Sequence, residues 1–412
     1  MMLHPADSSD WSRASIPLVI CLLLSACSGG GDGGGPEDAA ADTVATAPPP
    51  TPTEIEKMQI LRDLEGRAGR WTRVRSNVPE DELTADQRRQ IRRLESLGYV
   101  AGSRLAPTMK SVVQHDPQRA HAGLNLFTSG HAPEAVLMDM DGQVIHRWAL
   151  SYWDTWPDSE VDRSNRDTNY WCRARVLPGG DLVAVYGGGL GMLKLDRHSR
   201  LPWARRNDAH HDVDILPDGD ILVLAREAHV LPHIHPTEPV LEDFILRLDA
   251  DGNEKTRVSL VECFQNSEDH GEIWHRSWKQ AGDIFHTNSL ELLDGRLADQ
   301  VPEFQAGRVL VSIRRLSTLA VVDLEQVKVV WAFRARFRAQ HDATILPDGR
   351  LMLFNNAFKT GASSVNIDDL TTGRRVWRFN GPDREFIATI FEMLRLPADF
   401  PLDWAEASPR RR

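Results

Sequence analysis

HDVDILPDGDILVLAR at residues 211–226 and HDATILPDGRLMLFNN at residues 341–356 share one layout. Each has a short apolar run, an Asp-Gly turn and a second apolar run. Such runs are too short for helices, and Asp-Gly between them is a hairpin signal. Two further stretches fit the same frame: CRARVLPGGDLVAVYG from Cys172, and HTNSLELLDG from His286, continued by RVLVSIRR. Third and fourth strand patterns follow, as in FILRLDADG with NEKTRVSL, LAVVDLEQV with KVVWAF, and SVNIDDLTTG with RRVWRF. Four short antiparallel strands recurring as a unit predict an all-β chain folded as a β-propeller of four-stranded blades.

The ends of the repeat region complete the ring. GLNLFTSG, EAVLMDMDG and QVIHRWAL supply only the second to fourth strands of a blade. The segment from Phe391 to Pro397 has the first-strand pattern, so the C-terminal stretch is expected to close the ring on the N-terminal blade. Five units are counted in this way.

Outside the repeats the chain divides by composition. Residues 16–26 (IPLVICLLLSA) form an apolar run of signal-peptide length that is too short to span a bilayer. It ends Leu24-Ser25-Ala26-Cys27, which resembles the lipobox of bacterial lipoproteins and makes Cys27 the expected lipidation site. The expected organisation is a signal peptide at 1–26, a Gly/Ala/Pro-rich flexible tether at 27–52 and a helical segment at 53–115. The propeller follows at 116–400 and a tail at 401–412. Thr53-x-x-Glu56 and Thr84-x-x-Gln87 are capping-box patterns that start two short helices. The expected location is the bacterial envelope, as a periplasmic lipoprotein of the outer membrane touching the bilayer only through its anchor. A net charge of -11, with one basic run at Arg88 to Arg93, argues against a nucleic-acid partner. Cys172 and Cys263 are the cysteines left in the mature chain, and sequence leaves open whether they pair.

In a propeller the first strand of each blade lines the central channel, so equivalent repeat positions converge on one ring. The repeat alignment puts Cys172, His211, His286 and His341 in that ring. A lone strand His is normally a hydrogen-bonded structural residue, and only this convergence singles these out. The second strand returns to the same mouth. Seven residues past the hairpin glycines Gly180, Gly219, Gly307 and Gly349 stand Gly187, Arg226, Arg314 and Asn356. Neutral imidazoles beside guanidinium forks match a tetrahedral oxyanion, so the cluster predicts a sulfate or phosphate site with Arg226 and Asn356 as binding residues. His229, His233 and His235 lie in a Pro-flanked loop and read as exposed side chains, not metal ligands.

The blocks GLNLFTSGHAPEAVLMDMDGQVIHRW, HHDVDILPDG, DIFHTNSLELLDG, VLVSIRRLSTLAVVD and QHDATILPDG resemble, in order, those of the bacterial arylsulfotransferase family. The resemblance implies a six-bladed propeller that moves a sulfuryl group from an aryl sulfate to a phenol through a sulfohistidine. It implies no nucleotide sulfate donor, no cofactor and no metal. By motif, His341 of Gln-His-Asp matches the nucleophile, and His286 and Arg314 match the groups that hold the sulfuryl oxygens. His211 is the third histidine, chosen over His210 by the repeat register. The chain departs from the family at Asn355 and Ala357, where an Asp and a Gly are expected, and in a short region after Gly381. Two other functions fit the same residues. Three convergent histidines could hold zinc in a hydrolase, although two arginines beside a cation weigh against it. The propeller could also be a non-catalytic envelope scaffold.

Overall fold

The computed structural model describes residues 78–95, 112, 115–118, 120, 122–267, 281–334, 337–356, 363–380 and 393–396. Cys27, the tether, the first helix pattern and the tail at 401–412 lie outside the described residues.

In chain order the strands are β1 (Leu124–Ser129), β2 (Ala132–Met138) and β3 (Val144–Ala149) in the first blade. The second has β4 (Trp171–Val176), β5 (Leu182–Tyr186), β6 (Met192–Leu195) and β7 (Trp203–Arg205). The third has β8 (Ala209–Ile215), β9 (Ile221–His229), β10 (Val240–Leu248) and β11 (Glu254–Ser259), with the short β12 (Gly282–Asp283) parallel to β10. The fourth has β13 (Thr287–Leu292), β14 (Val309–Ile313), β15 (Thr318–Asp323) and β16 (Lys328–Arg334). The fifth has β17 (Gln340–Ile345), β18 (Leu351–Asn355), β19 (Ser364–Asp369) and β20 (Arg374–Asn380). Finally β21 (Met393–Leu396) pairs antiparallel with β1, so the C-terminal strand is the innermost strand of the N-terminal blade. Five antiparallel sheets form a ring, a five-bladed propeller.

The sixth blade implied by the family resemblance is therefore corrected to five. Only residues 381–392 separate β20 from β21, whereas one blade occupies residues 171–205. The chain between the fifth blade and the closing strand is too short for four strands and their turns.

The continuous apolar runs that marked the repeats follow from packing between blades. Strand side chains alternate in direction, and in a propeller both faces of a blade are covered. Along β5, Leu182, Ala184 and Tyr186 join the core shared with the first blade, while Val183 and Val185 join the core shared with the third. Along β14, Val309, Val311 and Ile313 pack toward the third blade and Leu310 toward the fifth. Each such Val, Leu or Ile contributes roughly 1.5–3 kcal/mol on burial. The outer strand β20, by contrast, is largely exposed.

The inner strands are also laced to one another by side chains. Asp212 accepts from the Leu290 N–H at 2.9 Å, Glu291 from the Ile345 N–H at 2.8 Å, and Asn288 donates to the Gln340 carbonyl at 2.7 Å. These bonds satisfy mouth and channel backbone groups that no neighbouring strand can reach. The hairpins that set the register need left-handed backbone at Gly219 (φ 86°) and Gly349 (φ 84°), which explains the Asp-Gly signal.

Helix α1 (Ala85–Glu95) opens with a reciprocal capping box: Thr84 N–H to Gln87 Oε1 at 2.8 Å and Gln87 N–H to Thr84 Oγ1 at 3.1 Å. Gln87 Nε2 also donates to the Thr237 carbonyl at 2.9 Å, holding the helix against the third blade.

Candidate active site

All four complete inner strands slip in register near the mouth, between Trp171 and Arg173, Ala209 and Val213, Thr287 and Ser289, and His341 and Thr344. Such bulges kink a strand and re-aim its side chains. The same stretch carries positive φ at Asp208 (57°), His211 (55°), His286 (53°), Ala339 (49°) and Asp342 (48°). Left-handed backbone at a non-glycine residue costs on the order of 1–3 kcal/mol, and its concentration at one mouth marks a constrained site.

The strand pairing refines the repeat register. Val176, Ile215, Leu292 and Ile345 each pair with the first residue of the second strand. Four residues before them stand Cys172, His211, Asn288 and His341. Asn288, not His286, therefore shares the slot of His341, and His286 lies just ahead of β13. The cause is the connection from Leu293 to Arg308, longer than the other hairpins, which hides the true offset in the sequence. At β8 the bulge holds one more residue than at β17, so His210 and His211 are both accommodated at the mouth.

Although their backbone positions differ, the histidines come together in a shared pattern. The rings of His211 and His286 lie 5.1 Å apart, edge to face. His211 Nδ1 is 2.7 Å from His210 Nδ1, His286 Nδ1 is 2.5 Å from Asp283 Oδ2, and His341 Nδ1 is 3.0 Å from the Ala339 carbonyl oxygen. Each ring thus uses Nδ1 to hold itself to the protein. A hydrogen bond at one imidazole nitrogen sets the chemistry of the other. His341 Nδ1 lies 3.0 Å from both the Ala339 carbonyl oxygen and the Asn356 amide nitrogen, and the tautomer that donates from Nδ1 to the carbonyl carries its lone pair on Nε2.

Burial keeps these rings neutral. His341 is pushed down to about 4, first by burial and then by His286 and Arg314, with Asp342 opposing. His210 and His211 are held well below the usual histidine range, mainly by burial. Burial also lowers His286, against the pull of Asp283. Burial of Asp283 disfavours its charge, yet His286, Arg315 and Arg226 together bring it down to about 2.

The remaining residues expected from the sequence divide into two sets. Arg314 stands in the turn after β14, its backbone N–H donating to the His286 carbonyl at 3.3 Å and its charge lowering both His286 and His341. Asn356 is buried behind His341: its Nδ2 donates to the Ala339 carbonyl at 2.8 Å and lies 3.0 Å from His341 Nδ1. Arg226 is buried too, donating to the Gly188 carbonyl, and its charge lowers His210, His211 and His286. A side chain at Gly189 would crowd Arg226, its Cβ falling 2.8 Å from Nε. Asn356 thus touches His341, and Arg226 acts on the other mouth histidines through its charge.

Below the histidines the channel is charged and internally paired. Arg173 bridges Asp212 (2.9 Å) and Asp342 (2.6 Å), joining the second, third and fifth blades across the axis. His131 is exposed in the turn between β1 and β2, at 3.1 Å from Ser129 Oγ, on the mouth side of the first blade. His229 faces Glu227 (3.1 Å) and Glu242 (3.7 Å) instead of the loop histidines. Cys172 and Cys263 are free thiols, and burial pushes Cys172 up to about 12. Among the described residues no group of three or more His, Cys, Asp or Glu is arranged to hold a metal ion.

Sequence reasoning did not single out Asp283, Asp243 or the Ala339 carbonyl. Asp283 was within reach, because Asp-x-x-His in DIFHTN sets a carboxylate three residues ahead of a mouth histidine. Asp243 lies on β10, with Oδ1 3.9 Å from His210 Nε2, and nothing in its local sequence points inward.

The described site is thus a cluster of buried imidazoles with guanidinium charge close by, at one mouth of a five-bladed propeller. Residues 176–379 match the model of the family described as arylsulfotransferase (ASST), and this match supports assigning the chain to that family. No curated protein matches the chain. Solved structures similar to it include a protein of unknown function from Bacteroides caccae, 13% identical over 63% of this chain and 74% of that one, with a TM-score of 0.37. A protein from Lactobacillus plantarum is 14% identical over 73% of this chain and 76% of that one, TM-score 0.38. A streptogramin B lyase is 14% identical over 62% of this chain and 65% of its own, TM-score 0.36.

Proposed function

We propose that this protein transfers a sulfuryl group from an aryl sulfate to a phenol through a sulfohistidine at His341. The observation that carries the reading is the contact of His341 Nδ1 with the Ala339 carbonyl, which leaves a neutral ring with Nε2 as its nucleophilic atom. In the first half-reaction Nε2 attacks sulfur, the N–S bond forms, the S–O bond to the aryl group breaks, and the aryl oxygen leaves with the electron pair. Arg314 faces the equatorial oxygens, where charge is spread in the transition state. In the second half-reaction a phenol oxygen attacks the same sulfur, loses its proton and returns His341 to its starting form. Catalysis of this kind needs position and charge complementarity and no nucleotide.

The test is turnover of a chromogenic aryl sulfate with and without added phenol. The expected result is slow or single-turnover phenol release alone and sustained release with an acceptor. No release under either condition would leave a non-catalytic binding module, and release that tracks bound zinc would leave a metal hydrolase.

The export reading rests on the sequence alone. The apolar run ending at Cys27 and the tether behind it support a lipid anchor holding the enzyme at the periplasmic side of the outer membrane. Cys27→Ala is expected to move the protein from the membrane fraction to the soluble fraction; equal retention of both forms would sink the anchor.

A further inference from the structure

We propose that His286 is the proton-transfer residue of the reaction and that Asp283 is its positioning residue, an acid–base pair assembled from two different blades. The proposal deepens the sulfotransferase reading and rests on it. The family resemblance implies only that His286 holds sulfuryl oxygens.

The geometry is that of a carboxylate-oriented imidazole. Asp283 comes from β12, which pairs with the third blade, whereas His286 leads into β13 of the fourth. The 2.5 Å contact between Asp283 Oδ2 and His286 Nδ1 is shorter than an ordinary N–H···O bond, and both side chains are about 6% exposed. Asp283 is ionised, so the shared proton sits on Nδ1 and Nε2 of neutral His286 carries the lone pair. A ring in this state cannot donate to a sulfuryl oxygen through Nε2 until it has gained a proton. It can accept one, and the carboxylate behind it then stabilises the imidazolium, as in a carboxylate–histidine general base.

The steps balance over one cycle. In the acceptor half-reaction the phenol O–H gives its proton to His286 Nε2 as the new O–S bond forms and the N–S bond to His341 breaks. From the neutral resting ring the first aryl group leaves as the phenolate; in each later cycle the imidazolium, with Nδ1–H still held by Asp283, gives the acceptor's proton to the aryl oxygen leaving the next donor. Burial first, then Arg314 after β14 and Arg226 on β9, disfavour the imidazolium, and Asp283 opposes them. The other titratable groups facing the pair are His210 and His211 on β8, Asp243 on β10, His341 on β17 and Arg315.

The test is the dependence of rate on phenol acidity in the wild type, Asp283→Asn, His286→Gln and the double variant. A proton-transfer role predicts that each single variant slows poor leaving groups such as phenyl sulfate roughly 10²-fold or more, and nitrophenyl sulfates much less. The double variant should be about as slow as His286→Gln, because the two residues act as a unit. In ¹⁵N-histidine-labelled protein the His286 ring should titrate at lower pH in Asp283→Asn than in the wild type, since the carboxylate raises it. This readout needs no turnover, so it separates failure of the pair from failure of the sulfotransferase reading. An equal slowing for every leaving group, additive losses in the double variant or an unmoved titration would each overturn the assignment.

Discussion

His341→Asn should abolish the first-turnover burst of phenol, a loss of about 10⁴-fold or more of the kind found when a nucleophile is removed. Asparagine is the informative choice because its amide can still donate to the Ala339 carbonyl where Nδ1 does now, so the mouth keeps its shape. In the wild type, donor alone should release about one equivalent of phenol and leave an adduct heavier by about 80 Da in intact-mass spectra at neutral or alkaline pH. The pH dependence follows from the ring. His341 must be unprotonated to attack, and burial holds it down to about 4. With a nitrophenyl sulfate the burst rate should therefore stay level from about pH 8 to about pH 5 and fall only as pH drops through about 4. A wild type that turns over with neither burst nor adduct would mean direct transfer from donor to acceptor.

The parts of this site that could be read from sequence are those on which the repeat imposes a register. Arg314 and Asn356 were reached by counting from a hairpin glycine, because the second strands run uninterrupted to the mouth and their apolar positions alternate between two blade cores. The closing strand was legible for the same reason: Met393 to Leu396 has the inner-strand pattern and pairs with β1. The count failed at His286, where the long connection from Leu293 to Arg308 shifts the offset and where a bulge ends the simple period of two. It also could not rank His210 against His211, since an additional bulged residue makes room for both. Asp283 and Asp243 belong to elements outside the inner strands, and a repeat argument is blind to residues that approach the ring from behind. Blade number was misdirected by the family resemblance. The count of five units, made on the chain itself, is the one the topology has.

Arg314→Lys should lower kcat/KM by roughly 10²–10³-fold although the charge is retained, the loss typical of removing one transition-state donor. The planar guanidinium offers two parallel N–H groups to two sulfuryl oxygens, and a lysine ammonium presents a single point charge on a flexible stem. Arg314 is well held for such a role: it follows Ile313 at the end of β14, and its backbone N–H is tied to the His286 carbonyl at 3.3 Å. A second variant separates the fork from the charge. Arg314 lowers His341, so Arg314→Gln should move the acid limb of the burst to higher pH, while Arg314→Lys should leave it near the wild-type position. Both variants should be slow, for different reasons. Rate loss in the glutamine variant alone, with lysine close to the wild type, would show that only a positive charge is needed at this mouth and that no bidentate contact to the sulfuryl group forms.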